Sequence, residues 1–136
     1  AALVMAGLAN RLASEGSNIE QRLAVLGDRY GHFATGQISK RYASIELVTP
    51  LIEAIRKQPP ASLAGQPARF TDLALGGALP PTDGLRFDLA DGRRVIIRAS
   101  GTEPKLKCYL QANASTAAAA DELLLELREA VQNLLD

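Results

Sequence analysis

Cysteine and histidine each occur once, at Cys108 and His32. A lone cysteine excludes an internal disulfide and fits a reducing cytosol. Without Cys/His pairs there is no ligand set for zinc. An excess of charge is lacking too: 15 Lys plus Arg balance 15 Asp plus Glu. No overall field therefore steers the chain to nucleic acid or to an anionic membrane, and any anion site must be local. The apolar opening AALVMAGLANRL has no cationic start and is interrupted by Arg11, so it does not read as a signal peptide. Internal repeats are missing, as are the G-x-x-x-x-G-K-[ST] spacing of a nucleotide P-loop and the G-x-S-x-G of a serine hydrolase.

The chain has 136 residues, 47% of them hydrophobic, enough for one domain with a core or for one domain plus a piece of another. Val4, Leu8 and Leu12, with Met5 beside them, recur at helical spacing. They read as an amphipathic helix cut from an upstream domain. A second helix is expected at 18–30, opened by a Ser17/Glu20 capping box and closed by Gly31. Residues 32–42 read as an extended segment crossing between units, with Gly36 allowing a bend.

A third helix is expected at 45–58, with Pro50 in its first turn and Thr49 or Ser44 as its N-cap. Residues 58–68 and 76–84 read as loops, the second one exposed, and 69–75 as a strand. The run 85–98 predicts a hairpin with a type I′ turn at Asp91-Gly92, placing Phe87, Leu89, Val95 and Ile97 on one side. A strand over 105–112 follows. A last helix opens at Ser115 or Thr116 and runs to Leu135, with Leu123, Leu127, Val131 and Leu134 along one stripe. The order β-α-β-β-β-β-α gives an α+β class, an antiparallel sheet whose apolar face is covered by two helices. The first forty residues are not expected to belong to it.

Between the last two strands lies Arg98-Ala99-Ser100-Gly101-Thr102-Glu103-Pro104, followed by Lys105 and Lys107. Arginine offers a planar fork that matches two phosphate oxygens. Ser100 and Thr102 add hydroxyls, Gly101 lets successive N–H groups converge on one anion, and Pro104 stiffens the exit. Lys105 and Lys107 are two apart and project to one side of a strand. Two other readings stand beside the anion site. Ser100 to Glu103 matches the capping pattern of a helix start, against which KLKCYLQA alternates at period two. A solvated charged turn fits the residue types as well as an anion site does. Cys108, in a strand interior with no visible base, reads as a buried structural thiol. His32 reads as a hydrogen-bonded surface or hinge residue.

The string from Arg98 to Pro104 resembles the phosphate-binding loop of the α-D-phosphohexomutases, and Lys105 to Tyr109 is most similar to the phosphoglucomutase/phosphomannomutase branch. The resemblance implies a C-terminal fragment: residues 1–37 as the tail of the third, α/β domain, and 38–136 as the fourth domain with its TATA-binding-protein-like fold. It implies a cytoplasmic intramolecular phosphotransferase that interconverts sugar 1-phosphate and sugar 6-phosphate through a phosphoserine enzyme and a bisphosphate intermediate. Arg98, Ser100, Gly101 and Thr102 would hold the non-transferring phosphate, with Lys105 and Lys107 beside them and Glu103 and Pro104 shaping the loop. Ala99 stands where relatives often carry proline.

No T-A-S-H-N-P-like serine segment, D-G-D-type magnesium loop or G-E-x-S-G-H-type sugar loop occurs. Nucleophile, Mg2+ ligands and sugar-reading groups are thus expected in the rest of the enzyme, and this portion alone is expected to be inactive and to bind no metal. The extended 32–42 segment would let the fourth domain swing shut over a phosphosugar substrate. Its partners would be that substrate and the enzyme's other domains, with no nucleic acid and no membrane. The alternative is a free-standing module that binds sugar phosphate or another anion and regulates a partner. A further one is a structural interaction domain. The choice among glucose, mannose, glucosamine and a pentose is not written in these residues.

Overall fold

A computed structural model describes residues 1–76 and 80–136. Helix α1 (Ala2–Ser14) ends at Gly16, whose φ of 72° turns the chain. Ser17 N–H then reaches back to the Leu12 carbonyl at 2.8 Å and Gly16 N–H to Ala13, the Schellman closure that satisfies orphan carbonyls. Helix α2 (Ile19–Tyr30) is capped one residue later than expected. Asn18, not Ser17, accepts from Gln21 N–H at 2.8 Å, and the Gln21 side chain accepts from Asn18 N–H at 3.1 Å. Two capping patterns overlap here with an offset of one, and asparagine caps as well as serine. Gly31 closes α2 as expected, with φ 91°.

Strand β1 (His32–Arg41) corrects the reading of 32–42 as a crossing segment. It is extended, but it is paired with the later strand β6 (Lys105–Ala114) from His32↔Ala114 to Arg41↔Lys105. These residues therefore belong to the sheet, contrary to the expectation for the first forty. The domain border placed at 37/38 falls in the middle of β1. A 3-10 turn (Ile45–Leu47) opening at Ser44 then leads into α3 (Val48–Lys57), and Thr49 is not its cap. Pro50 lies in the first turn, where its missing N–H would have had no helical partner.

The loop expected at 58–68 contains a short hairpin, β2 (Ser62–Leu63) with β3 (Gln66–Asp72). Its two-residue turn is Ala64-Gly65, with φ 46° and 72°. Alanine rarely adopts that conformation, which is why the turn was not legible. A 3-10 turn at Leu73–Leu75 ends what had been read as strand. Of the loop expected at 76–84, residues 77–79 lie outside those described.

Strands β4 (Leu85–Leu89) and β5 (Arg94–Ala99) form the expected hairpin, with Phe87 opposite Val95 and Leu85 opposite Ile97, all buried. Its turn is not type I′. Gly92 N–H bonds to the Leu89 carbonyl and only Gly92 has positive φ, so Ala90-Asp91-Gly92 form a three-residue loop closed by glycine. Helix α4 (Ala117–Leu135) is capped by Thr116.

The sheet order is β1-β6-β5-β4-β3-β2, antiparallel throughout. Helices α3 and α4 cover one face with Val48, Ile52, Ile55, Leu127, Val131 and Leu135, against Leu106, Cys108, Leu110 and the hairpin residues. This is the expected α+β class, with one more strand than read. No described helix is long and apolar enough to cross a membrane.

Candidate anion site at the β5–β6 loop

Alternation along β5 and β6 decides where the charges go. Val95, Ile97, Leu106 and Cys108 point into the core, so Arg98, Lys105 and Lys107 point to the face that no helix covers. In register, Arg98 lies directly opposite Lys107, and Lys107 opposite Ser39 of β1. Arg41 of β1 lies opposite Lys105 on the next outward rung. Two adjacent rungs thus each carry a directly opposed pair of cations, an arrangement that destabilises a bare sheet.

The loop is five residues, Ser100 to Pro104, and is not a helix start. Ser100 N–H donates to the Lys105 carbonyl at 2.9 Å, and Lys105 N–H to the Glu103 carbonyl at 2.7 Å. Tyr42 N–H, just past β1, donates to the Pro104 carbonyl at 2.8 Å. These bonds fix the two legs of the loop. Among the described residues, none accepts a hydrogen bond from the amides of Gly101, Thr102 and Glu103. Gly101 has φ outside the left-handed region, and a Cβ there would meet nothing within 4 Å. Turn geometry therefore gives no reason for glycine at 101, whereas close approach of a ligand to the backbone would.

Glu103 is the loop's own anion. Lys105 Nζ donates to it at 2.9 Å and Arg41 Nη2 at 3.2 Å. The hydrogen bond from Lys105, then the charges of Lys105, Arg41 and Lys107, hold its carboxyl below the usual range. The Arg98–Lys107 rung has no such counter-ion among the described residues. Lys105 is thus already engaged, while among the described residues Arg98 and Lys107 make no ion pair, Lys107 acting on Glu103 only through its charge at longer range.

Further along the same face, Asp88 serves three arginines: Arg86 at 2.8 Å, Arg94 at 2.9 Å and Arg69 at 3.7 Å. Burial works against the Asp88 charge, but bonds from Arg86 and Arg94 outweigh it and hold its pKa down. Between the two clusters runs a shallow groove of about 500 Å³ that includes Gln37, Ile96, Tyr109 and Gln111. The open face is basic although the whole chain is neutral, so charge is segregated, not absent.

Sequence reading missed Arg41, Ser39 and the Tyr42 amide. Their signal was the alternation of Gln37, Ser39 and Arg41, which shows a strand but not its register. Cys108 is fully buried, which pushes its thiol up to about 12, as suits a structural residue. His32 packs its ring beneath Gly27 and lies 3.5 Å from Asp28, far along β1 from the loop. The described residues gather no group of three His, Cys, Asp or Glu that could hold a metal.

Residues 49–130 match the family model described as the phosphoglucomutase/phosphomannomutase C-terminal domain. Over 136 residues, 99% of the chain, it is 35% identical to a probable phosphomannomutase of Haemophilus influenzae, of which it spans 28%. A crystal structure of parafusin, an exocytosis-sensitive phosphoprotein and phosphoglucomutase from Paramecium in its open form, superposes with a TM-score of 0.53. That superposition covers 85% of this chain and 23% of the other at 18% identity, which speaks for the fold alone.

Proposed function

The chain belongs to the phosphoglucomutase/phosphomannomutase family, and from that premise we propose that its β5–β6 loop grips the non-transferring phosphate of a phosphosugar. The observation that carries this reading is the unneutralised Arg98–Lys107 rung beside three unbonded amides. A phosphate dianion there would relieve like-charge opposition, accept a bidentate pair from Arg98, and take the N–H groups of Gly101 and Thr102 with hydroxyls from Ser100 and Thr102. Lys107 would add charge from the adjacent strand. Lys105 and Glu103 would brace the loop, with Pro104 held by β1.

Phosphoryl transfer between sugar positions is mainly a matter of positioning and electrostatics. Holding the phosphate that does not react fixes the sugar and places remote binding energy at the distant centre. A grip that reads only phosphate accepts the sugar in either orientation, as interconversion of 1- and 6-phosphates requires. In this proposal the serine that carries the phosphoryl group, the Mg2+ ligands and the sugar-reading groups lie outside this chain, in a cytoplasmic enzyme. The described residues gather no ligand set for a metal, so the Mg2+ would be held by other parts of the enzyme. The domain border proposed at 37/38 crosses a sheet strand, so a swing of the fourth domain would carry residues 32–41 with the sheet.

Arg98→Ala in the complete enzyme is expected to lower kcat/KM by roughly two to three decades, the loss of about 3–4 kcal/mol of charge-assisted binding. Steady-state kinetics showing less than a few-fold change would remove Arg98 from this role. An amide-resolved NMR titration complements it. Glucose 1-phosphate and inorganic phosphate should both move the Ser100, Gly101 and Thr102 signals saturably, and chloride should not.

A further inference from the structure

Four cations face outward on two adjacent rungs beside the loop, and one carboxylate stands among them. Arg41 is opposite Lys105, and Lys107 is opposite Arg98. Glu103 could in principle neutralise either rung, since it sits in the loop that joins β5 to β6. It pairs with Lys105 and Arg41, on the side of the loop braced by β1, where Tyr42 N–H also holds the Pro104 carbonyl. Arg41 and Glu103 are 62% and 42% exposed, so their 3.2 Å contact contributes little to stability. Its consequence is where the loop's own negative charge resides.

Resting on the phosphate reading above, we propose that Arg41 is a positioning residue of the site. By sharing Glu103 with Lys105, it keeps that carboxylate out of ion-pair distance of Arg98 and Lys107, so that rung stays open to phosphate. The edge strand β1 is thereby part of the grip without touching the ligand. Lys105 alone holds Glu103 by one flexible ammonium, whereas the guanidinium on β1 adds a second donor from a different strand. Without Arg41 the carboxylate gains freedom to compete with phosphate for the remaining cations.

The test is a cycle of substitutions in the 136-residue chain, read by NMR titration with inorganic phosphate and by the dispersion of each variant's spectrum. Arg41→Gln should weaken phosphate binding by about 2- to 5-fold, the scale of one screened charge contact. Glu103→Gln removes both the loop's brace and the competing carboxylate, so its affinity serves as the reference for the second substitution. In the Glu103→Gln background the Arg41→Gln effect should vanish, and Arg41→Lys should restore part of the affinity in the original background. Arg98→Gln should abolish binding in both backgrounds.

An Arg41→Gln loss of equal size with and without Glu103 would make Arg41 a direct ligand and overturn the proposal. So would no loss at all. In both cases the Arg98 arm would still stand, and the phosphate reading with it. If the unsubstituted chain binds no phosphate, or Arg98→Gln binds unchanged, both fall together.

Discussion

At the scale of single residues, Gly101 separates the demands of the fold from those of a ligand. Its backbone is open to any residue and its surroundings are empty. Gly101→Ala should therefore leave stability unchanged or raise it, by about 0.4–1 kcal/mol through the unfolded chain. The same change should weaken phosphate binding at least ten-fold, because a methyl group would stand where the anion approaches the amides. Thermal unfolding and a phosphate titration on one sample decide this, and unchanged affinity would mean the loop is only a turn. The loop's residue types were plain in the sequence. Their states were not: Arg98 and Lys105 look alike as letters, yet one is free and the other holds Glu103. Only the register across three strands distinguishes them.

At the scale of elements, the hairpin at Asp91-Gly92 was legible because glycine marks the turn, but the residue after it was not. Arg93 is 2% exposed. Its Nε bonds Asp91 at 2.7 Å, Nη1 bonds Glu126 and the Leu123 carbonyl at 3.2 Å, and Nη2 bonds the Ala64 carbonyl at 3.1 Å. One guanidinium thus ties the β4–β5 turn to α4 and to the strained Ala64-Gly65 turn. Apart from Asp91, those partners are distant in sequence, so no local pattern marks Arg93. Arg93→Ala should destabilise the chain by about 2–4 kcal/mol, since it takes the donor from the Ala64 carbonyl, breaks the contacts to Asp91 and Glu126 and empties a filled site. Arg93→Lys should recover little, because the donors of a compact ammonium radiate from one atom and cannot span acceptors spread around Nε, Nη1 and Nη2. Urea midpoints measure both; a loss under about 1 kcal/mol for Arg93→Ala would show that the latch is dispensable.

For the molecule as a whole, Cys108 reports on the closed core. Burial raises its thiol to about 12, against about 8.5 in an unfolded chain. A pKa raised by folding means the full contribution is present below about 8.5 and is lost as pH rises, because the unfolded state ionises first. The stability difference between the chain and Cys108→Ala should thus shrink by about 1.4 kcal/mol per pH unit above that point. Alkylation at pH 8 should proceed only at the rate of unfolding; rapid labelling of the native chain would show that the sheet opens. The sequence by itself determined the local facts: helices from 3.6-residue periodicity, strands from alternation, the turn at Gly92, the single thiol, and a loop rich in phosphate-binding residue types. Each follows from residues within a few positions of one another. The tertiary structure decided that residues 32–41 are a strand of the sheet, that the open face is basic in a neutral chain, that Arg41 meets Glu103, and that Arg93 ties distant elements together. Those facts depend on strand register and on contacts across tens of residues, where one position of slip reverses every side chain, and no local pattern records them.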